Sequence, residues 1–348
     1  MNEAVSKKVF TIHEIIDFSF IIGALLGVCG TYWDIRYHVD IGRDSFWIPP
    51  HFMVYSGVTI VFLGSLLALW QARKIHKPFS KKLSFAILLI LLSGLLQILG
   101  APIDDWWHRM FGLDVTVWSP PHLLLIFAGF AISLSVIYFQ KLYMHIAKLD
   151  IVRKLTSDEV KLEIMFAIAL VGLNIILAEF EYFRTIPLFH PSQLRSHWLY
   201  LALLVFQFSF VFTLAKILIR NKWAVTRIAT IYFLIRLGLS AILFSGGSWP
   251  IFPPMVIVSA ILFDLITYRK TDFKNIVFAT LIFAISFYIT EMGYLYALAI
   301  SRYIPRNIFE VMGSSVVSLL FSVVAYSFGK KILKQVNSVQ ATTQSASL

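Results

Sequence analysis

A chain of 348 residues that is 58% hydrophobic and only 14% charged, with a mean hydropathy of +0.78, has the composition of an integral membrane protein and leaves no room for a sizeable soluble domain. Its single cysteine, Cys29, excludes an internal disulfide and a thiolate-held metal cluster. The net charge of +11 is read as basic loops meeting anionic lipid, with no call for nucleic acid as a partner.

In chain order, the apolar pattern predicts ten spans, near 14–33, 52–71, 83–103, 121–142, 162–182, 197–219, 225–245, 249–268, 276–300 and 308–328. Most reach the roughly 20 residues that a helix needs to cross the hydrocarbon core. The eighth is the weakest, because Pro250, Pro253 and Pro254 crowd its start. The fold class expected is all-α: a polytopic transmembrane helix bundle. With the N-terminus placed in the cytoplasm, twenty-two Lys and Arg fall in inside segments and seven in outside ones. That asymmetry puts both termini on the cytoplasmic side. Met1 to Phe10 is polar and the apolar run after it is long enough to stay in the membrane, so no cleaved signal is expected. The segment 335–348 is polar and aperiodic, and is expected to be a disordered tail.

The outward segments after the first and third spans carry a repeated polar block. Asp34 to His51 reads D-I-R-Y-H-V-D-I-G-R-D-S-F-W-I-P-P-H, and Asp104 to His122 reads D-D-W-W-H-R-M-F-G-L-D-V-T-V-W-S-P-P-H. Each copy runs Asp, three residues, His, three residues, Gly, one residue, Asp, then Trp-x-Pro-Pro-His. One extra residue separates the copies. The reading is a tandem pair of helical hairpins, repeats near 20–70 and 90–142 within a first region 1–145, followed by a second transmembrane region 146–334 that lacks the motif.

If the first span continues as a helix, Asp34 and His38 lie one turn apart on one face. Gly42 breaks the helix, Trp47 sits at interfacial depth, and Pro49-Pro50 starts the next span with His51 in its first turn. The hairpin then returns His51 towards Asp34 and His38. Two imidazoles and a carboxylate make a metal site with open positions, a set that non-haem iron uses and zinc also accepts. The second copy offers Asp104 or Asp105 with His108 and His122. Asp44 and Asp114 are candidates for further ligands or for orienting a ring N–H. The competing reading is a carboxylate–histidine network that only ties the hairpins together. Ionisable groups cost a few kcal/mol in or near the bilayer, so their clustering there points to function.

These residues also resemble the C subunit of the copper-dependent membrane monooxygenases, the methane- and ammonia-oxidising family. That subunit has a copper site of Asp, three residues, His, twelve residues, His at the outward end of membrane helices, with an Arg-Asp pair between the histidines and a closing Phe-x-Pro-x-His. Asp34, His38 and His51 reproduce the spacing, Arg43-Asp44 the pair, and Trp47-Ile48-Pro49-Pro50-His51 the closing run. In the second copy Asp104, His108 and His122 match with one residue more, and Leu113-Asp114 replaces Arg-Asp. The resemblance covers about twenty residues in each repeat and does not extend to the other spans. It differs in that the family subunit has one such site where this chain has two. The resemblance implies copper, oxidation of a small apolar substrate, electrons from a partner or from quinol, and further membrane subunits. The chain is accordingly expected in the cytoplasmic membrane of a prokaryote with its metal sites outward. The alternatives are a non-catalytic copper-handling or assembly protein and an ion-coupled transporter. The transporter reading is weakened by ligands at the outer interface, since transport sites lie near the midplane.

In the second region, Arg236 and Glu291 lie at similar depth and are expected to form a buried ion pair. Glu179 and Glu181 are read as meeting Arg184 and water at the interface, and His190 and His197 as solvated.

Overall fold

A computed structural model describes residues 3–41, 46–74, 80–112, 117–147, 155–178, 198–244, 253–297 and 308–346. Among them there are ten α-helices and no strand. They are α1 (Glu3–Asp40), α2 (Pro49–Lys74), α3 (Ser80–Phe111), α4 (Pro120–Ala147), α5 (Leu155–Leu173), α6 (Trp198–Leu218), α7 (Ala224–Phe244), α8 (Ile257–Thr267), α9 (Phe273–Ala297) and α10 (Ile308–Ala346). A 3₁₀ turn, Asn174–Leu177, extends α5. Nine of the ten are long and apolar enough to cross a membrane. The fold is therefore the expected polytopic helical bundle. The exception is α8, where eleven residues span only about 17 Å of a roughly 30 Å hydrocarbon core. Pro253 and Pro254 precede it in irregular chain, which shortens the helix at its start.

Two other features differ in extent from the sequence reading. The polar segment after Lys334 is helical as far as Ala346, continuing α10, and Lys82 Nζ donates to Ser338 Oγ at 2.8 Å. A helix already running through the membrane needs no new nucleus, so its polar end propagates where an isolated segment would not fold. The boundary between halves also moves. One compact unit comprises Met1–Gly172 with Lys334–Leu348, and the other Leu173–Leu333, so α5 belongs with the repeats.

In the first unit the two hairpins are built on close backbone contact. A Cβ placed on Gly57 of α2 would lie 2.5 Å from Gly23 O and 2.6 Å from Gly27 N of α1, and one on Gly30 would lie 2.9 Å from Val54 N. Small residues at helical spacing let the two backbones meet, which is how membrane helices gain packing without a hydrophobic drive. In the second hairpin a Cβ on Gly100 of α3 would come within 2.6 Å of Leu125 Cδ2 of α4. Helix α5 is apolar nearly all round and 72% of its apolar window is buried, as befits a central element. Tyr32 O–H donates to Val171 O at 3.2 Å, fixing α1 to α5 two residues before Asp34.

Towards the other end of α1, buried Asp17 receives Lys161 Nζ at 2.8 Å and Gln140 Nε2 at 3.3 Å, with His13 Nε2 at 3.2 Å. His13 in turn stacks on Tyr143 at 3.5 Å between centroids. This network joins α1, α4 and α5 through charge that is paired, the condition under which buried membrane charge persists.

The second unit packs around α6, 83% of whose apolar window is buried. Its core is aromatic: Phe208, Phe212, Phe263, Phe283 and Phe287 are fully buried or nearly so, with Phe283 and Phe287 stacked at 5.7 Å. Hydroxyls tie the helices laterally. Thr213 and Thr280 both meet Ser322, at 2.8 and 2.9 Å, and Ser209 meets Ser318.

Candidate metal centres

Each repeat closes as its spacing predicts. Helix α1 stays helical through Asp40, so Asp34 and His38 share one face, and α2 begins at Pro49 with His51 in its first turn. Asp34 Oδ1 lies 3.1 Å from His38 Nε2 and 3.1 Å from His51 Nε2. In the second repeat Asp104 Oδ1 lies 3.3 Å from His108 Nε2 and 3.2 Å from His122 Nε2. One carboxylate oxygen thus faces two ring nitrogens in both copies. The ligand atoms within each set lie within 4.8 Å of one another, and the two sets are separate groups.

The hydrogen bonds on the far side of the rings decide what the near side can do. His51 Nδ1 is 2.8 Å from Phe46 O, and His108 Nδ1 is 3.2 Å from Gly112 O. A carbonyl can only accept, so each Nδ1 carries the proton. In a neutral imidazole that leaves the Nε2 lone pair directed at an anionic oxygen, an arrangement that needs a cation or a second proton between them. Charge-assisted N–H···O bonds run at about 2.7–2.9 Å, shorter than the 3.1–3.3 Å found here. Ligands about 2.0–2.1 Å from a shared ion are separated by about 3.3 Å in a tetrahedron and about 2.9 Å in an octahedron. The four spacings fit that range, so the residues present suit a metal ion.

Local sequence accounts for these positions. Helix α3 ends at Phe111 because Gly112 takes a left-handed φ of +85° and its N–H bonds to His108 O at 3.0 Å. His108 therefore grips Gly112 twice, by backbone and by ring. Gly42, the equivalent glycine of the first repeat, lies outside the described residues. Ile48 and Ser119 occupy matching positions before the proline pairs, and their carbonyls accept Phe52 N–H and Leu123 N–H at 3.2 and 3.0 Å. Aromatic rings flank the first triad: Tyr55 is 5.9 Å and Phe46 6.2 Å from the His51 ring.

Of the remaining predicted site residues, Asp105 is separated from the triad. It pairs with Arg109 at 2.8 Å, one turn on, which settles Asp104 as the carboxylate that faces the histidines. Asp44 and Asp114 lie outside the described residues, as do Glu179, Glu181, Arg184, His190 and His197. Arg236 and Glu291 are both buried in the second unit. Glu291 accepts Met255 N–H at 2.8 Å and Tyr200 O–H at 3.3 Å. It therefore caps the irregular chain that enters α8.

Three functional features escaped the sequence reading. The carbonyls of Phe46 and Gly112 carry no side-chain signal, although the repeated glycine hinted at the second. The Gly23/Gly27/Gly57 contact had a signal in the Gly-x3-Gly spacing. The Asp17 network had one in His13-x3-Asp17, the first triad's motif reversed.

Comparison with known proteins finds no matching family model, no matching curated protein and no matching solved structure.

Proposed function

We propose that this integral membrane protein is a metalloprotein that binds one copper ion at each hairpin, through Asp34, His38 and His51 and through Asp104, His108 and His122. The observation that carries the reading is the doubled geometry of a carboxylate oxygen facing two Nε2 atoms, with His51 and His108 held from behind by backbone carbonyls. Copper is favoured over iron or zinc by the resemblance of both blocks to the monooxygenase subunit. The distribution of basic residues favours sites on the outer face of a prokaryotic cytoplasmic membrane.

Held by two imidazoles and a carboxylate, copper supplies one-electron redox chemistry and open positions for small ligands. The chain's own residues set the terms. Asp34 and Asp104 offset the charge of the cation. Phe46 O and Gly112 O fix the tautomers of His51 and His108, so that Nε2 is free of its proton and ready to bind. In an oxidoreductase role the electrons would come from a partner subunit or quinol, and the substrate would be small and apolar.

A second reading, copper acquisition or delivery without catalysis, is favoured by exposure. The side chains of Asp34 and His38 are 22% and 27% exposed, so that site is reachable from water.

Elemental analysis of the purified protein, beside a His38→Ala/His108→Ala double variant, tests the binding. About two coppers per chain, lost in the variant, support it; no metal after reconstitution with copper, iron and zinc overturns it. Copper-dependent O₂ consumption with a small hydrocarbon or ammonia would favour oxidation. Rapid transfer of the copper to a soluble chelator, without O₂ consumption, would favour handling.

A further inference from the structure

The second unit carries a cavity of about 490 Å³ that the metal centres do not use. It opens where the turn between α6 and α7 meets the turn between α8 and α9. Leu265 and Ile266, in the last turn of α8, make an apolar floor, and Trp223 and Tyr268 form aromatic walls with centroids 6.0 Å apart. Arg269 and Lys270 line the rim. Lys222 Nζ sits 4.3 Å above the Tyr268 ring, adding a third cation held by a cation–π contact. Asn275 Nδ2 donates to Lys270 O at 3.2 Å and braces the turn that carries the rim.

The carboxylates nearby are engaged elsewhere. Asp264 is fully buried and takes Lys216 Nζ at 2.6 Å with the Thr226 N–H and O–H at 2.7 and 2.8 Å. Asp272 receives Asn275 N–H at 2.9 Å in the first turn of α9. Lys222, Arg269 and Lys270 outnumber Asp272, the one carboxylate there without a cation in its hydrogen bonds, and the mouth keeps a net positive field.

Depth decides the class of ligand. The spanning segments of α6, α7 and α9 end or begin at Leu218, Ala224 and Phe273, so the cavity lies at the membrane–water boundary. Trp223 and Tyr268 are each 40% exposed there, the placement of an interfacial aromatic belt. A soluble anion has no use for the Leu265 and Ile266 floor, and an uncharged lipid has no use for the cationic rim. We propose that this cavity binds an anionic phospholipid from the adjoining leaflet. Its phosphate is held by Arg269, Lys270 and Lys222, and its first acyl methylenes lie on Leu265 and Ile266.

The test uses the full chain, purified and exchanged into equal mixtures of phosphatidylglycerol and phosphatidylcholine, with retained lipid read by native mass spectrometry. Phosphatidylglycerol should be retained in preference, and an Arg269→Ala/Lys270→Ala variant should retain roughly tenfold less of it. Both side chains are exposed, so the substitutions leave the packing intact, as circular dichroism will verify. Leu265→Glu, which sets a carboxylate on the floor, should abolish the preference by a separate route. Millimolar inorganic phosphate should not displace the lipid. Equal retention of the two lipids, or unchanged retention in both variants, overturns the proposal. Displacement by inorganic phosphate also overturns it, making the cavity a free-anion site.

Discussion

The two hairpins carry the same triad, and the second keeps its carboxylate further from solvent: the Asp104 side chain is 12% exposed and that of Asp34 22%. In the first, the histidine at the start of α2 is anchored: His51 bonds back to Phe46 O, in the connection it has just left. In the second, the histidine at the end of α3, His108, bonds forward to Gly112 O. His51 is 13% exposed beside His38 at 27%, and His108 is 7% exposed beside His122 at 25%. The comparison teaches that the same helix frame brings the same three side chains together at different depths, and that a backbone carbonyl behind a ring sets its tautomer.

The strongest break removes the ligands. His38→Ala should halve the copper content and leave the second site loaded; adding His108→Ala should take it close to zero, measured by elemental analysis. Retention of both ions in the single variant would mean that His38 is not a ligand.

Next comes the frame. Gly57→Leu puts a side chain where Gly23 O and Gly27 N already stand at 2.5 and 2.6 Å, so α1 and α2 must separate. Overpacking of this kind costs about 1–3 kcal/mol and moves His51 away from Asp34. Copper should fall to about one per chain with the second site intact, and thermal unfolding should shift downward.

A smaller effect is expected from the pin alone. Gly112→Ala forces an L side chain into the left-handed region, at about 1–2 kcal/mol, and loosens the His108 anchor. Copper affinity at the second site should drop by roughly tenfold. The first site, read by titration in a His108-intact background, should not change.

The smallest effect sharpens the ligand assignment. Asp105 pairs with Arg109 one turn on, so Asp105→Asn should leave both coppers in place, whereas Asp104→Asn should empty the second site. Loss of copper in the Asp105 variant would reverse the choice between them.

What the sequence by itself determined is what short-range geometry carries. Apolar runs of about twenty residues have one solution in lipid, because every backbone group must be satisfied within its own segment, and so the helices were legible. The Asp-x3-His spacing and the Pro-Pro-His helix starts are likewise local, and they placed Asp34 with His38 and put His51 in a first turn. Tertiary structure decided the rest. Only the approach of α1 to α2, across glycines tens of residues apart, brings His51 Nε2 to the same oxygen that faces His38. Only the orientation of α3 against α4 selects Asp104 over its neighbour, since adjacent helical residues point about 100° apart and either could have faced the site. The allocation of α5 to the repeats rests on Lys161 reaching Asp17 and on Val171 O receiving Tyr32, contacts more than 130 residues apart in sequence that no local pattern encodes. The helical end of α10 has the same cause: composition marked it as a polar tail, but the membrane helix before it had already supplied the nucleus.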